Sequence, residues 1–173
     1  MKKRISTFCA IVAVLLVSRQ FFVYPEPVQA SVLKADKVVV LKGDRLLLLL
    51  KNGEPIRTYK VALGKNPIGQ KMRMGDKKTP EGTYYLDRRS ATSKYHRALH
   101  ISYPNADDIR KARALGVSPG SDVMIHGLPK EFNNIGELHR TVDWTKGCIA
   151  LTNAEIDEIW RLVPVGTPIE IKP

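Results

Sequence analysis

From Ala35 onward the apolar residues fall in short runs broken by turn residues, which is the pattern of strands rather than of long helices. Lys37-Val38-Val39-Val40-Leu41 leads into Lys42-Gly43-Asp44-Arg45, a turn, and 46–50 continues as a second strand. Five leucines in a row also fit a helix, but the turns a few residues away on either side favour a strand buried on both faces. Asn52-Gly53 is the strong short hairpin signal, and 56–63 alternates well enough to form a third strand. The opening is a β-meander.

The stretch 64–82 differs in kind. Gly64, Pro67, Gly69, Gly75, Pro80 and Gly82 punctuate it, and Lys65, Lys71, Arg73, Lys77 and Lys78 make it basic. It reads as a long loop entering a strand at 83–86. Ordered loops of this length are often functional, against the plainer reading of a solvated surface loop. Residues 87–96 are polar, and 98–103 alternates as a strand. A short helix starts at Pro104-Asn105-Ala106-Asp107 and ends near Leu115, before Gly116, Pro119 and Gly120. A strand at 122–126 stops at Gly127-Leu128-Pro129; 130–142 is a loop or short helix, and 148–151 a short strand. Thr152 or Asn153 caps a helix over 154–163 with Glu155 in its first turn, and 168–172 closes as a strand. The pattern predicts one β-rich domain, 31–173, with two short helices.

The first thirty residues read differently again. Met1-Lys2-Lys3-Arg4 is basic, 5–17 is apolar apart from Ser6 and Thr7, and Val28-Gln29-Ala30 ends in small–x–small fashion before Ser31. This is the form of a secretory signal peptide. Its apolar core is short of the roughly 20 residues that span a bilayer; Phe21-Phe22-Val23 would extend it into an uncleaved anchor. Cys9 lies too early for lipid attachment. The protein is therefore expected in the periplasm or cell wall, touching membrane only through an uncleaved leader. The apolar fraction of 43% and charged fraction of 26% are those of a globular chain. A formal net charge of +11 suits polyanions in general. There is no nucleic-acid motif, so nucleic acid is not an expected partner, and no dimerisation motif, so a monomer is expected.

Export sharpens the meaning of the cysteines. Without the leader, Cys148 is the only thiol, so no internal disulfide can form. A lone thiol in an oxidising compartment is either a reactive group or a small buried hydrophobe. Its setting favours reaction: Met124-Ile125-His126-Gly127 lies upstream, and Thr145-Lys146-Gly147-Cys148-Ile149 surrounds it. A thiol attacks as thiolate, and a neighbouring imidazole can take its proton. Gly147 reaches backbone angles closed to other residues, so N–H groups around Lys146, Gly147 and Cys148 could converge on an oxyanion.

At these residues the chain resembles the L,D-transpeptidase catalytic domain (YkuD) family of bacterial cell-wall enzymes. That pattern is His–Gly or His–Ser, a spacer, then Ser/Thr–x–Gly–Cys, a hydrophobic residue, and Arg or Asn. Here it is met by His126-Gly127 and Thr145-Lys146-Gly147-Cys148-Ile149, with Thr79-Pro80-Glu81-Gly82-Thr83-Tyr84 upstream and Gly166-Thr167-Pro168-Ile169 downstream. The resemblance covers about residues 36–172. It implies a mainly β, sandwich- or barrel-like fold, with Cys148 as nucleophile and His126 as proton acceptor. The Gly127 carbonyl would orient His126, and N–H groups near Gly147 and Cys148 would form the oxyanion hole. It further implies peptidoglycan stem peptides as donor and acceptor, 3–3 cross-links or attachment of a protein amine, a place in wall biogenesis and cell shape, and no cofactor. Two departures stand out. Ala150 replaces the usual Arg or Asn, and the spacer from His126 is longer and holds His139. If water is the acceptor, the same site would be an amidase or L,D-carboxypeptidase. A non-catalytic wall-binding module would need neither Cys148 nor His126.

Thr145 and Lys146 are candidate substrate contacts beside the nucleophile. His139 either lines the site or sits on a polar loop. Arg73 and Lys71 either meet stem carboxylates or are ordinary surface cations. His100 either points inward or faces solvent, His96 has no supporting context, Trp144 is expected to pack under the catalytic loop, and Asp143 to be a turn residue. The four histidines, with no second thiol in the mature chain, do not make up a recognisable zinc-ligand set, so no metal is expected.

Overall fold

The computed structural model describes residues 33–173; the leader expected over 1–30 lies outside them. No helix among the described residues is long and apolar enough to cross a membrane. The strands are β1 (Lys37–Leu41), β2 (Leu46–Lys51), β3 (Glu54–Lys60), β4 (Gly82–Ser93), β5 (His96–Ile101), β6 (Met124–His126), β7 (Ile149–Ala150) and β8 (Pro168–Lys172). The helices are α1 (Ala106–Ala114) and α2 (Asn153–Leu162), and a 3-10 segment covers Lys130–Thr141. The strands hydrogen-bond in the order β3-β2-β1-β8-β4-β5-β6-β7. β1–β8 and β6–β7 are parallel and the other pairs antiparallel.

The meander forms as its turns dictate. Asn52 and Gly53 both adopt positive φ, 53° and 85°, as a two-residue hairpin loop matched to strand twist requires. Val38 and Val40 of β1 and Leu47 and Leu49 of β2 are fully buried, but β2 alternates rather than burying both faces. After β3 the chain crosses to the far edge of the sheet. Ala62 exchanges backbone hydrogen bonds with Ala150 (3.0 and 2.8 Å), Thr145 donates to Leu63 (3.1 Å), and Lys65 donates to Thr145 (3.0 Å). The two edges are thereby joined into a barrel-like closure, which removes the open edge beside β7.

β4 runs seven residues past the predicted 83–86. Residues 87–93 are mostly exposed, yet they pair with β5, Arg88 opposite His100 and Ser90 opposite Ala98. The 3-10 segment adds a third helical stretch, broken at Gly136 (φ 50°, ψ −128°). Thr152, not Asn153, caps α2: its hydroxyl accepts from Glu155 N–H, and the Glu155 carboxylate accepts from Thr152 N–H at 3.0 Å. Ile156 and Ile159 of α2 are fully buried against the sheet. The loop at 64–82 is built on a buried ion pair. Lys71 Nζ lies 2.8 Å from Asp76 Oδ1, and the Asp76 carboxylate also accepts from the N–H groups of Met72, Arg73 and Lys78.

Candidate active site

The paired strands β6 and β7 carry the reactive residues. Ile125 lies opposite Ile149 and His126 opposite Ala150 in parallel register. Side chains alternate along a strand, so Cys148, one residue before β7, shares a face with His126, one diagonal step away. Ile125 and Ile149 project to the other face and are fully buried. Slipping the pairing by one residue would expose them and separate the thiol from the imidazole. Core packing therefore sets the register of the site.

His126 is 2% exposed. Its Nδ1 lies 2.7 Å from the Gly127 carbonyl; a carbonyl only accepts, so Nδ1 carries the proton and Nε2 keeps a free lone pair. Tyr95 stacks on the ring, 4.4 Å between centroids, and Trp144 meets it edge-on at 5.9 Å. Behind it, a Cβ at Gly127 would stand 2.4 Å from Asn153 Oδ1, an oxygen that accepts from Leu128 N–H at 2.7 Å. Burial pushes the imidazole pKa down to about 4, against the Gly127 carbonyl, which favours the charged form; His139 and Lys94 add to the lowering. The imidazole is neutral at physiological pH.

The Cys148 loop is tied by one hydroxyl. Thr145 Oγ1 donates to the Cys148 carbonyl at 2.7 Å and accepts from Gly147 N–H at 3.0 Å. That N–H is thus engaged by Thr145 and is not free for the expected oxyanion hole. Gly147 has φ 131°, and a Cβ there would lie 2.6 Å from the Lys78 carbonyl; no other residue fits. The Asp143 carboxylate accepts from Leu63 N–H (2.8 Å) and from Arg45 (2.9 Å). It thereby fastens the loop to the barrel seam rather than merely turning the chain. The sulfur is partly exposed, and its thiol donates to the Asp122 carbonyl at 3.7 Å. Burial raises the thiol pKa; the Met124 N–H, Lys71 and Lys94 oppose this and Asp122 adds to it. Thiol and imidazole are both neutral at rest.

Cys148, His126, Gly127, Gly147 and Thr145 are thus brought together. Lys146 is exposed on the same loop. His139 is buried at 3% exposure, and neither ring nitrogen has a hydrogen-bond partner. Arg73 is exposed, and its backbone serves the Lys71–Asp76 pair. Lys71 is 5% exposed and engaged by Asp76, not a free surface cation. His100 lies 2.6 Å from Asp87, and His96 lies 2.9 Å from Asp157 on α2. Ala150 is fully buried in the closure between β7 and Ala62. Tyr95, Lys94 and Asn153 escaped the sequence reading as site residues; Tyr95 and Lys94 sit in a polar hairpin with no pattern pointing to them.

A model described as the L,D-transpeptidase catalytic domain, YkuD, matches residues 35–171. The curated relative "Putative L,D-transpeptidase YafK" of Escherichia coli (strain K12) is 36% identical over 132 residues, 73% of this chain and 46% of the relative. "Putative L,D-transpeptidase YqjB" of Bacillus subtilis (strain 168) is 27% identical over 137 residues, 78% of this chain and 69% of the relative. Among solved structures, the helical cell shape determining protein Pgp2 from Campylobacter jejuni superposes with a TM-score of 0.62 at 26% identity, over 80% of this chain and 47% of that one. The chain therefore spans a little under half the length of YafK and of Pgp2. With its mixed eight-stranded sheet and its Cys–His face, the chain belongs to the L,D-transpeptidase catalytic domain family.

Proposed function

We propose that the protein is an exported cysteine L,D-transpeptidase acting on peptidoglycan stem peptides. The observation that carries the reading is the β6–β7 register: a thiol and an imidazole with a free Nε2 share one face of two adjoining strands. Both groups start neutral, so acylation proceeds by general-base catalysis. As Sγ bonds to the carbonyl carbon of the amide after the third stem residue, its proton passes to His126 Nε2. The resulting oxyanion is held by N–H groups at Lys146 and Cys148. Collapse breaks the C–N bond, His126 returns the proton to the departing D-amino acid, and a Cys148 thioester remains. An amine of a second stem, or of a protein, then attacks the thioester and loses its proton to His126. The amide forms, and the sulfur leaves and is reprotonated. The 3–3 link is the product when the amine belongs to a second stem.

The test is mass spectrometry of disaccharide-tetrapeptides incubated with the protein, wild type beside Cys148→Ala. The expected product is a Cys148-dependent dimer lacking one terminal D-alanine. A Cys148-dependent tripeptide alone would instead make the enzyme an L,D-carboxypeptidase, and no product from any stem would point to a wall-binding module.

A further inference from the structure

The face of the sheet that bears His126 and Cys148 bears a second imidazole. In the β5–β6 pairing His100 stands opposite Met124, and Ala98 opposite His126; paired residues point to the same side of a sheet. The parallel β6–β7 register, carried back one residue, sets Cys148 beside Met124. His100, Met124 and Cys148 thus form a row across three strands, while Leu99, Ile125 and Ile149 fill the core from the other side. The His100 side chain is 12% exposed. Its Nδ1 lies 2.6 Å from Asp87 Oδ1; a carboxylate only accepts, so Nδ1 carries the proton and Nε2 keeps its lone pair. Nε2 faces Asp122 Oδ1 at 3.9 Å, and the backbone carbonyl of the same Asp122 accepts the Cys148 thiol at 3.7 Å. One residue therefore joins the second imidazole to the sulfur.

The proposed reaction calls for such a group. An alkylamine as basic as lysine, pKa ~10.4, is an ammonium at pH 7, and an ammonium has no lone pair with which to attack. Two protons must leave its nitrogen before the amide stands, one to expose the lone pair and one as the C–N bond forms. His126 takes the second. We propose that His100 Nε2 takes the first, from an acceptor ammonium seated between His100 and Asp122. The N–H bond breaks, its electron pair stays on nitrogen as the pair that attacks the thioester carbon, and the proton rests on Nε2 between two carboxylates until solvent removes it. Nε2 and Asp122 Oδ1 are both acceptors and cannot bond to each other; an ammonium about 2.9 Å from each donates to both. The distribution of charge agrees. Lys94 stands at the other end of β5, 4.8 Å over the Tyr95 ring that stacks on His126, so a cation is drawn to the His100 end of the face. The inference rests on the transpeptidase reading and assigns the base that readies its second substrate, an amine that arrives charged.

The test sets two amines in competition for the Cys148 thioester at pH 7: the amine of a second stem, charged on arrival, and methoxyamine, which is neutral at that pH. Disaccharide-tetrapeptide is incubated with the full chain and methoxyamine, and the dimer and the methoxyamide are quantified by mass spectrometry. In His100→Gln the dimer should fall about a hundredfold, the scale of one general base, and the methoxyamide by less than about threefold. Asp87→Asn keeps the imidazole but takes the charge from beside Nδ1, and should show the same bias more weakly. An equal fall in both products makes His100 a structural residue and overturns the proposal, as does an unchanged dimer yield in both variants. A wild type that forms methoxyamide but no dimer has no charged acceptor and overturns it too. A wild type that forms neither product fails at the thioester, which is the failure of the transpeptidase reading itself and takes the proposal with it.

Discussion

Replacing Thr145 by valine keeps the shape of the side chain and removes only its hydroxyl. That hydroxyl is buried, donates to the Cys148 carbonyl at 2.7 Å and accepts from Gly147 N–H at 3.0 Å. Thr145→Val leaves both backbone groups without their partner. Each such group costs about 1–3 kcal/mol, and the added methyl recovers about 1 kcal/mol, so the net loss is about 1–5 kcal/mol. At roughly 3 °C per kcal/mol for a domain of this size, Tm falls by about 3–15 °C. Activity should fall further, because the same two bonds set the turn that presents Sγ, and misplacing a reacting atom by about 1 Å costs on the order of a hundredfold. Thr145→Ser restores the hydroxyl and should recover most of both losses. The assay is calorimetry alongside kcat/KM on tetrapeptide for the three proteins. A valine variant within about 0.5 kcal/mol of wild type and equally active would refute the role given to this hydroxyl.

Other outcomes follow from the same geometry. With the thiol pKa raised and the imidazole pKa near 4, alkylation of Cys148 by iodoacetamide should climb about tenfold per pH unit from pH 6 to 9, tracking the thiolate fraction; a plateau beginning below pH 6 would reveal a preformed ion pair. Gly127→Ala drives a methyl to 2.4 Å from Asn153 Oδ1, so turnover should be lost and Tm lowered, with Tm partly restored by adding Asn153→Gly; an active single variant of unchanged Tm would refute the close packing assigned to Gly127. Asp76→Ala strands the buried Lys71 and should cost about 3–5 kcal/mol, read as a drop in Tm that Asp76→Glu reduces. The Asp76 carboxyl feels burial first, which raises its pKa, but Lys71 and the three N–H groups outweigh it and the net shift is downward. Its stabilising contribution is therefore complete above the unfolded value and is lost as pH falls through the lower folded value. Urea titrations from pH 5 to 2 should show wild type losing the advantage over Asp76→Ala in that window.

Much of this architecture is legible in the chain, and the gaps share a cause. The hairpin at Asn52-Gly53, the buried valines and leucines of β1 and β2, and the Thr145–Ile149 run around the thiol carry their signals in side chains. The second half of β4 does not. Residues 87–93 are polar and face water, and only the backbone ladder to His100, Leu99 and Ala98 makes them a strand. The closure of the barrel through Ala62, Leu63 and Lys65 is likewise made of backbone bonds between residues some eighty apart. His139 reads as a loop residue because the break at Gly136 interrupts any helical period, yet the fold buries it to 3% exposure. Tyr95 stacks on His126 only because the β4–β5 hairpin folds over β6, a contact no local spacing announces. Gly147 pointed to the oxyanion in the sequence; three-dimensional structure assigns its N–H to Thr145.

The central claim is that Cys148 carries the acyl group and His126 takes its proton. Intact-protein mass spectrometry, after mixing the protein with disaccharide-tetrapeptide and quenching in acid within the first turnover, tests it most directly. The account predicts a mass gain equal to the stem acyl group, mapped to Cys148, absent in Cys148→Ala and strongly reduced in His126→Ala. An adduct of the same size in His126→Ala, or one mapped to any residue other than Cys148, would contradict it.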